Sequence, residues 1–214
     1  MRKVLSIIIL GILVAMQPAM AQNDAKAKAI LDAVAKKVKS LNTIKANFVL
    51  TLTGGKVKDT KKGTLSLKGE KYHITLGGQE IICDTKTTWT YNKDTKEVQI
   101  TTPNNGEQSI SPAKLLTNSY DKDYKYAYKG EKKEQGKNCD FIELFPKDAS
   151  KKISRIELYV DKATTMVSSV NTFDKNGNVT QYILSNLTQN PVIPDTYFAW
   201  DQKAHAGVEV VDLR

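Results

Sequence analysis

His73 and His205 are the only histidines in the chain, and Cys83 and Cys139 the only cysteines. These are the side chains that most often act as proton shuttles, nucleophiles or metal ligands near neutral pH. None falls in a spacing that builds a site. There is no H-x-x-x-H pair, no nucleophile-elbow G-x-S-x-G and no phosphate-cradling glycine loop. The acidic residues are scattered, with no carboxylate pair in an apolar setting, and two cysteines without a nearby histidine do not make a zinc site. Neither an enzyme nor a cofactor or metal site is expected. Asn178-Val179-Thr180 and Asn186-Leu187-Thr188 match glycosylation sequons but fall in predicted strands.

The chemistry left to such a chain is solvation of apolar groups, and here the spacing is informative. Phe48, Leu50 and Leu52 alternate with Asn47, Val49 and Thr51. Leu65 and Leu67 alternate with Thr64 and Ser66, and Tyr72, Ile74 and Leu76 with Lys71, His73 and Thr75. Trp89 and Tyr91 alternate with Thr88 and Thr90; Val98 and Ile100 follow, then Tyr124, Tyr126 and Tyr128, and later Ile156, Leu158 and Val160. A period of two puts one face of each run on apolar matter and leaves the other wet, the habit of antiparallel sheet. Gly54-Gly55, Gly77-Gly78 and Asn176-Gly177 mark tight turns. About eleven strands are predicted, too many for a flat open sheet, so the sheet should curl.

Helix is scarce. Between Asp24, a candidate cap, and Leu41 the apolar residues Ile30, Ala33, Val34 and Val38 recur at helical spacing, with lysines opposite. Ser111-Pro112-Ala113-Lys114-Leu115-Leu116 has a capping serine, a proline at the first helical position and an apolar pair, the start of a short helix. Pro191 to Arg214 is less regular and is expected to pack along an edge of the sheet. The fold class expected is mainly β, α+β: a curled antiparallel sheet forming an incomplete barrel, lidded by these two helices.

Before these elements, Arg2 and Lys3 precede an apolar run from Val4 to Met16 and an A-x-A site at Ala19-Met20-Ala21. This is the pattern of a secretory signal peptide, cleaved after Ala21, leaving residues 22–214 as one domain. Removal of Arg2 and Lys3 lowers the formal charge from +9 to +7. The excess lysine is spread along the chain without a dense basic cluster, which argues against a nucleic-acid partner and fits either a solvated surface or weak attraction to anionic membranes or acidic partners. Export permits a Cys83–Cys139 disulfide; two buried free thiols are the alternative. A monomer in the periplasm is expected.

Some eleven strands with one apolar face make a large concave wall, and aromatic residues are only 7% of the chain. Two short helices can lid that wall without filling it. A packed small barrel with a helix plug is one outcome. The other is an apolar cup under movable helices, which would suit acyl chains.

The same residues resemble the outer-membrane lipoprotein carrier proteins, the LolA-like family. The likeness begins with the export signal, the N-terminal helix and Ala46-Asn47-Phe48, and continues through Gly63-Thr64-Leu65-Ser66-Leu67-Lys68. It is sharpest at Asp84-Thr85-Lys86-Thr87-Thr88-Trp89-Thr90-Tyr91, similar to the family's Asp-Gly-Lys-Thr-x-Trp-x-Tyr, and returns at the mid-chain Ser-Pro helix. The resemblance implies a periplasmic chaperone that takes acylated lipoproteins from an inner-membrane lipoprotein-releasing transporter towards an outer-membrane acceptor. Its acyl-chain site would comprise Ile30, Val34 and Val38 on the N-terminal helix, Leu115 and Leu116 on the short helix, and Phe48, Leu50, Leu65, Leu67, Tyr72, Ile74, Trp89 and Tyr91 on the wall. Where the family commonly places an Arg-Pro pair that fastens the lid, this chain reads Gly69-Glu70. Two rivals share the half-barrel: a lipid-sensing or regulatory binding module, and a general lipid or glycolipid carrier.

Overall fold

The computed structural model describes residues 18–103, 120 and 123–214. The expected short helix from Ser111, with Leu115 and Leu116, lies outside the described residues. Helix α1 (Pro18–Lys39) leads into twelve strands: β1 (Ile44–Gly54), β2 (Val57–Lys68), β3 (Lys71–Leu76), β4 (Gln79–Cys83), β5 (Thr88–Asn92), β6 (Glu97–Thr101), β7 (Tyr124–Glu134), β8 (Lys137–Pro146), β9 (Ile153–Asp161), β10 (Met166–Asp174), β11 (Val179–Gln189) and β12 (Glu209–Asp212). They form one open, curled sheet in the order β12-β6-β5-β4-β3-β2-β1-β11-β10-β9-β8-β7. Every pairing is antiparallel except β12 on β6, which is parallel.

The twelfth strand is the one the sequence does not announce. Glu209–Asp212 is four residues long, too short to display a period. The C-terminal stretch does reach an edge, as expected, since β12 extends the sheet beyond β6. On the way, however, it crosses the outer face of β3–β5 with a 3₁₀ turn at Asp195–Phe198.

Pairing and alternation fix which side chains share a face. On β1, Ile44, Ala46, Phe48 and Leu50 point into the hollow, and their partners Leu67 and Leu65 on β2, and Leu184 and Tyr182 on β11, point with them. The row continues through Tyr72 and Ile74 on one side and through Val170, Leu158, Ile142 and Tyr128 on the other. Helix α1 lies across β7 and β10 with Ala27, Leu31, Val34 and Val38 buried in the same cluster. The long strands are held by tight turns where the sequence marks them. At Asn176-Gly177, for example, Gly177 has φ +84° and the Asp174 carboxylate accepts hydrogen bonds from the amides of Asn176 and Asn178.

Candidate functional site

The candidate site is the hollow between α1 and the concave face. Its sheet side is almost wholly hydrocarbon. Phe48, Leu50, Leu65, Leu67 and Ile74 are buried there, and Tyr72 packs against them half-buried. On α1, Val34 and Val38 are buried in the same cluster and Ile30 flanks it. These nine of the residues expected at the site are therefore assembled around one apolar volume.

Trp89 and Tyr91 are not. Trp89 pairs with Ile82, which pairs with His73; Tyr91 pairs with Glu80. All of these point to the outer face, and it is Thr88 and Thr90 that share the inner face with Cys83 and Ile81. Tyr91 instead meets Trp200 and His205, ring centres 5.2 Å from each. The C-terminal segment thus makes a second apolar layer on the outside of β3–β6, with Ile82, Val98 and Phe198 buried. Because this stretch of sheet is covered on both faces, the aromatic side is not the hollow side.

The sequence-based list also omits much of the wall. Leu31 and Ala27 complete the buried stripe of α1, and Ile142, Leu144, Ile156, Leu158, Val170 and Leu184 line the hollow from β8 to β11. Tyr124, Tyr126 and Tyr128 of β7 lie beneath the helix side of the cluster, with the Lys26 ammonium 3.9 Å from the Tyr128 ring centre. The signal for these was the same period of two. It marks Tyr124, Tyr126 and Tyr128, and Ile156 and Leu158, as strand residues with one apolar face, but not that these strands close on the same hollow as β1–β3.

The hollow is electrically quiet. Burial raises the phenol pKa of Tyr72, Tyr120, Tyr124 and Tyr182 above the ordinary value, so these groups stay neutral over the physiological range. A neutral, apolar lining can dissolve hydrocarbon and can orient it only by shape. An open cleft of about 240 Å³ remains at the C-terminal end of α1. It is lined by Ala35 and Val38 of the helix, Leu41 and Thr43 of the connection, Leu67 of β2, and the Gly69-Glu70 turn. Ligand pockets usually run from roughly 300 to 1,000 Å³. The cleft is a mouth rather than a finished site, and anything larger must displace α1.

The polar groups with chemical potential lie elsewhere. Cys83 and Cys139 are both buried free thiols. Cys83 faces the hollow beside Tyr72, whereas Cys139 belongs to an outer-face cluster with Phe141 and Tyr159, and six strands of the sheet stand between the two. The disulfide alternative is thereby removed. His73 is not on a wet face but buried under the C-terminal segment. Its Nδ1 donates to the Tyr197 carbonyl at 2.9 Å, and its Nε2 is 2.6 Å from a Glu80 carboxylate oxygen, close enough to bond but not aligned for a straight one.

That contact fixes a pH dependence. The close approach of the His73 ring nitrogen holds the Glu80 carboxyl below its ordinary 4.5, against the opposing effect of burial. A carboxyl whose folded pKa is depressed stabilises the fold fully above the unfolded value, and the contribution fades as pH falls through the folded one. Stability measured by urea unfolding should therefore drop on acidification below 4.5. Glu80→Gln should be less stable at neutral pH, with the gap to the native chain narrowing as pH falls from 4.5 through the lowered folded value. A gap that stays constant across that range would exclude the contact as a source of the acid sensitivity.

Comparison with known proteins identifies the family. The family model described as "Outer membrane lipoprotein carrier protein LolA" matches residues 39–201, more than half of the chain. An outer-membrane lipoprotein carrier protein of Haemophilus influenzae is 28% identical over 180 residues, 81% of this chain and 82% of that one. One from Shewanella pealeana is 29% identical over 181 residues, 80% of this chain and 77% of that one. An uncharacterized conserved protein from Thermus thermophilus shares the fold with a TM-score of 0.60 at 12% identity, over 87% of this chain and 99% of that one. The open twelve-stranded half-barrel, the helix-covered apolar hollow and the span of the match together place this chain in the outer-membrane lipoprotein carrier (LolA) family.

Proposed function

We propose that this protein is a periplasmic carrier that shelters the acyl chains of lipoproteins between α1 and the concave sheet. On this reading its leader is cleaved after Ala21 and it receives cargo from an inner-membrane lipoprotein-releasing transporter. The observation that carries the reading is α1 itself, laid apolar side down on an apolar wall with an open mouth at its C-terminal end. Relatives named as outer-membrane lipoprotein carrier proteins support it.

Magnitudes show that such a lid can open. Three buried helix side chains, Leu31, Val34 and Val38, at about 1.5–3 kcal/mol each hold α1 down with roughly 5–9 kcal/mol of apolar burial. An acyl chain gains about 0.8 kcal/mol per methylene removed from water. Roughly ten methylenes therefore match the packing they displace. Transfer from a bilayer exchanges one apolar surrounding for another, so loading and release can both lie near balance.

Native mass spectrometry of protein purified from the periplasm tests the reading. A copurified triacylated lipoprotein is the expected result. Free lipid would instead assign the protein as a general lipid or glycolipid carrier. An empty chain with a protein partner attached would assign it as a regulatory binding module.

A further inference from the structure

The apolar row of the concave wall does not stop at the rim. It runs along β1 from Phe48 and Leu50, both buried, to Leu52, 40% exposed, and crosses at the turn to Val57 on β2, 68% exposed. Leu52 pairs with Asp59 and Gly54 with Val57, so both apolar side chains share the face that lines the hollow. Here the hairpin stands clear of the strand that follows it. β3 pairs with β2 only over Gly63–Lys68, and Val57–Lys61 has no strand on its outer side among the described residues. Lys56 and Lys58 flank the exposed valine in the chain, Lys61 and Lys62 follow further along β2, and all four are exposed. One acidic residue, Asp59, answers them, 3.7 Å from Lys61.

We propose that the β1–β2 hairpin tip is a docking element for an anionic bilayer surface, the exposed Leu52 and Val57 entering the headgroup boundary while the lysines meet lipid phosphates. Apolar residues among lysines suit such an interface, because the ammonium groups stay at the phosphates while their neighbours insert. A protein partner fits less well. Two apolar side chains on a hairpin tip are far from the roughly 800 Å² per partner of a stable protein interface. A bilayer demands no complementary shape. Only two apolar side chains enter the boundary, so contact by this tip would be peripheral and reversible. Lysines on a free edge also guard against edge-to-edge pairing, which does not explain why the same edge exposes a valine. The inference rests on the carrier reading, to which it adds how the cup reaches a membrane.

Vesicle sedimentation of the full processed chain separates the two. Binding to phosphatidylglycerol vesicles at low salt is expected to exceed binding to phosphatidylcholine vesicles by at least about tenfold and to fall as salt shortens the electrostatic range. Lys58→Gln, Lys61→Gln and Lys62→Gln together should weaken it by up to roughly a hundredfold, and Val57→Asp by about tenfold. Both variants should capture acyl chains like the parent. Equal binding to the two vesicle types, or variants that bind like the parent, would overturn the proposal. So would a lysine variant that self-associates while binding vesicles normally, since the lysines would then be edge guards only. A parent that captures acyl chains but ignores vesicles sinks the docking tip and leaves the carrier standing; one that binds anionic vesicles but never acyl chains sustains the tip and sinks the carrier.

Discussion

Gly63→Val is expected to abolish folding of the half-barrel, and Gly63→Ala to cost about 3 kcal/mol or more, at the upper end of overpacking effects. Gly63 sits on β2 directly opposite Phe48 of β1 and Leu76 of β3. The fully buried Phe48 ring lies over it. A β-carbon there would stand 2.4 Å from the tip of that ring and 2.4 Å from the carbonyl oxygen of Thr75. The ring could turn aside, but the carbonyl belongs to the neighbouring strand and can move only if β3 moves. Phe48 also lies 6.3 Å from the Tyr182 ring on β11, so displacing it disturbs both flanks of β1. Gly55→Ala is the control: its φ is +56° but nothing lies within 4 Å of an added carbon. It should lose only about 1–2 kcal/mol, the cost of a left-handed backbone. Urea unfolding midpoints read the difference. Comparable losses at the two glycines would mean that β1 and β3 are not held as tightly against β2 as the geometry requires.

The same close approach shows why some of the fold was legible and some was not. Ala46-Asn47-Phe48 and Gly63-Thr64-Leu65 are two of the stretches that resemble a family pattern, and in this chain one ring and one missing side chain meet there across β1 and β2. The alternation around Phe48 and Leu50 reveals a strand and a buried face because the side chains between and beside them, exposed Asn47 and half-buried Val49, are not covered by a second layer. At β4–β6 that rule breaks. Ile81 and Cys83 face the hollow while Ile82, Trp89 and Val98 lie on strands backed by the C-terminal layer, so both parities carry apolar residues. The Asp84–Thr87 turn, where the Asp84 carboxylate accepts from the amides of Lys86 and Thr87, sets which parity points inward. No periodicity reports that. Placing the aromatic pair in the cup follows from taking large apolar residues to mark a single core. The fate of the thiols is likewise a matter of sheet order, which keeps β4 and β8 far apart and which neither cysteine's neighbours in sequence disclose.

Val34→Asp should reduce acyl capture by on the order of a hundredfold or more while the sheet stays folded. Val34 is 2% exposed, on the α1 face turned to the wall. An unpaired carboxylate left there costs several kcal/mol even after relaxation, comparable with the roughly 5–9 kcal/mol that packs the helix down. The helix therefore peels away before the charge is buried. The strands keep their own ladders, with β1 still held between β2 and β11, so unfolding is local rather than global. Hydrogen exchange should show protection lost along α1 and kept in β1 and β11. A cup without its lid offers a tail one wall instead of two, and a loss of about 2.7 kcal/mol in contact is already a hundredfold in affinity. Val34→Met, apolar and adaptable, should bind like the parent. If Val34→Asp frees the helix and acyl capture is unchanged, the sheet alone holds the cargo and α1 is only a cover for an empty cup. If capture falls with no loss of protection in α1, the charge acts inside a closed site, and the lid need not move to load it.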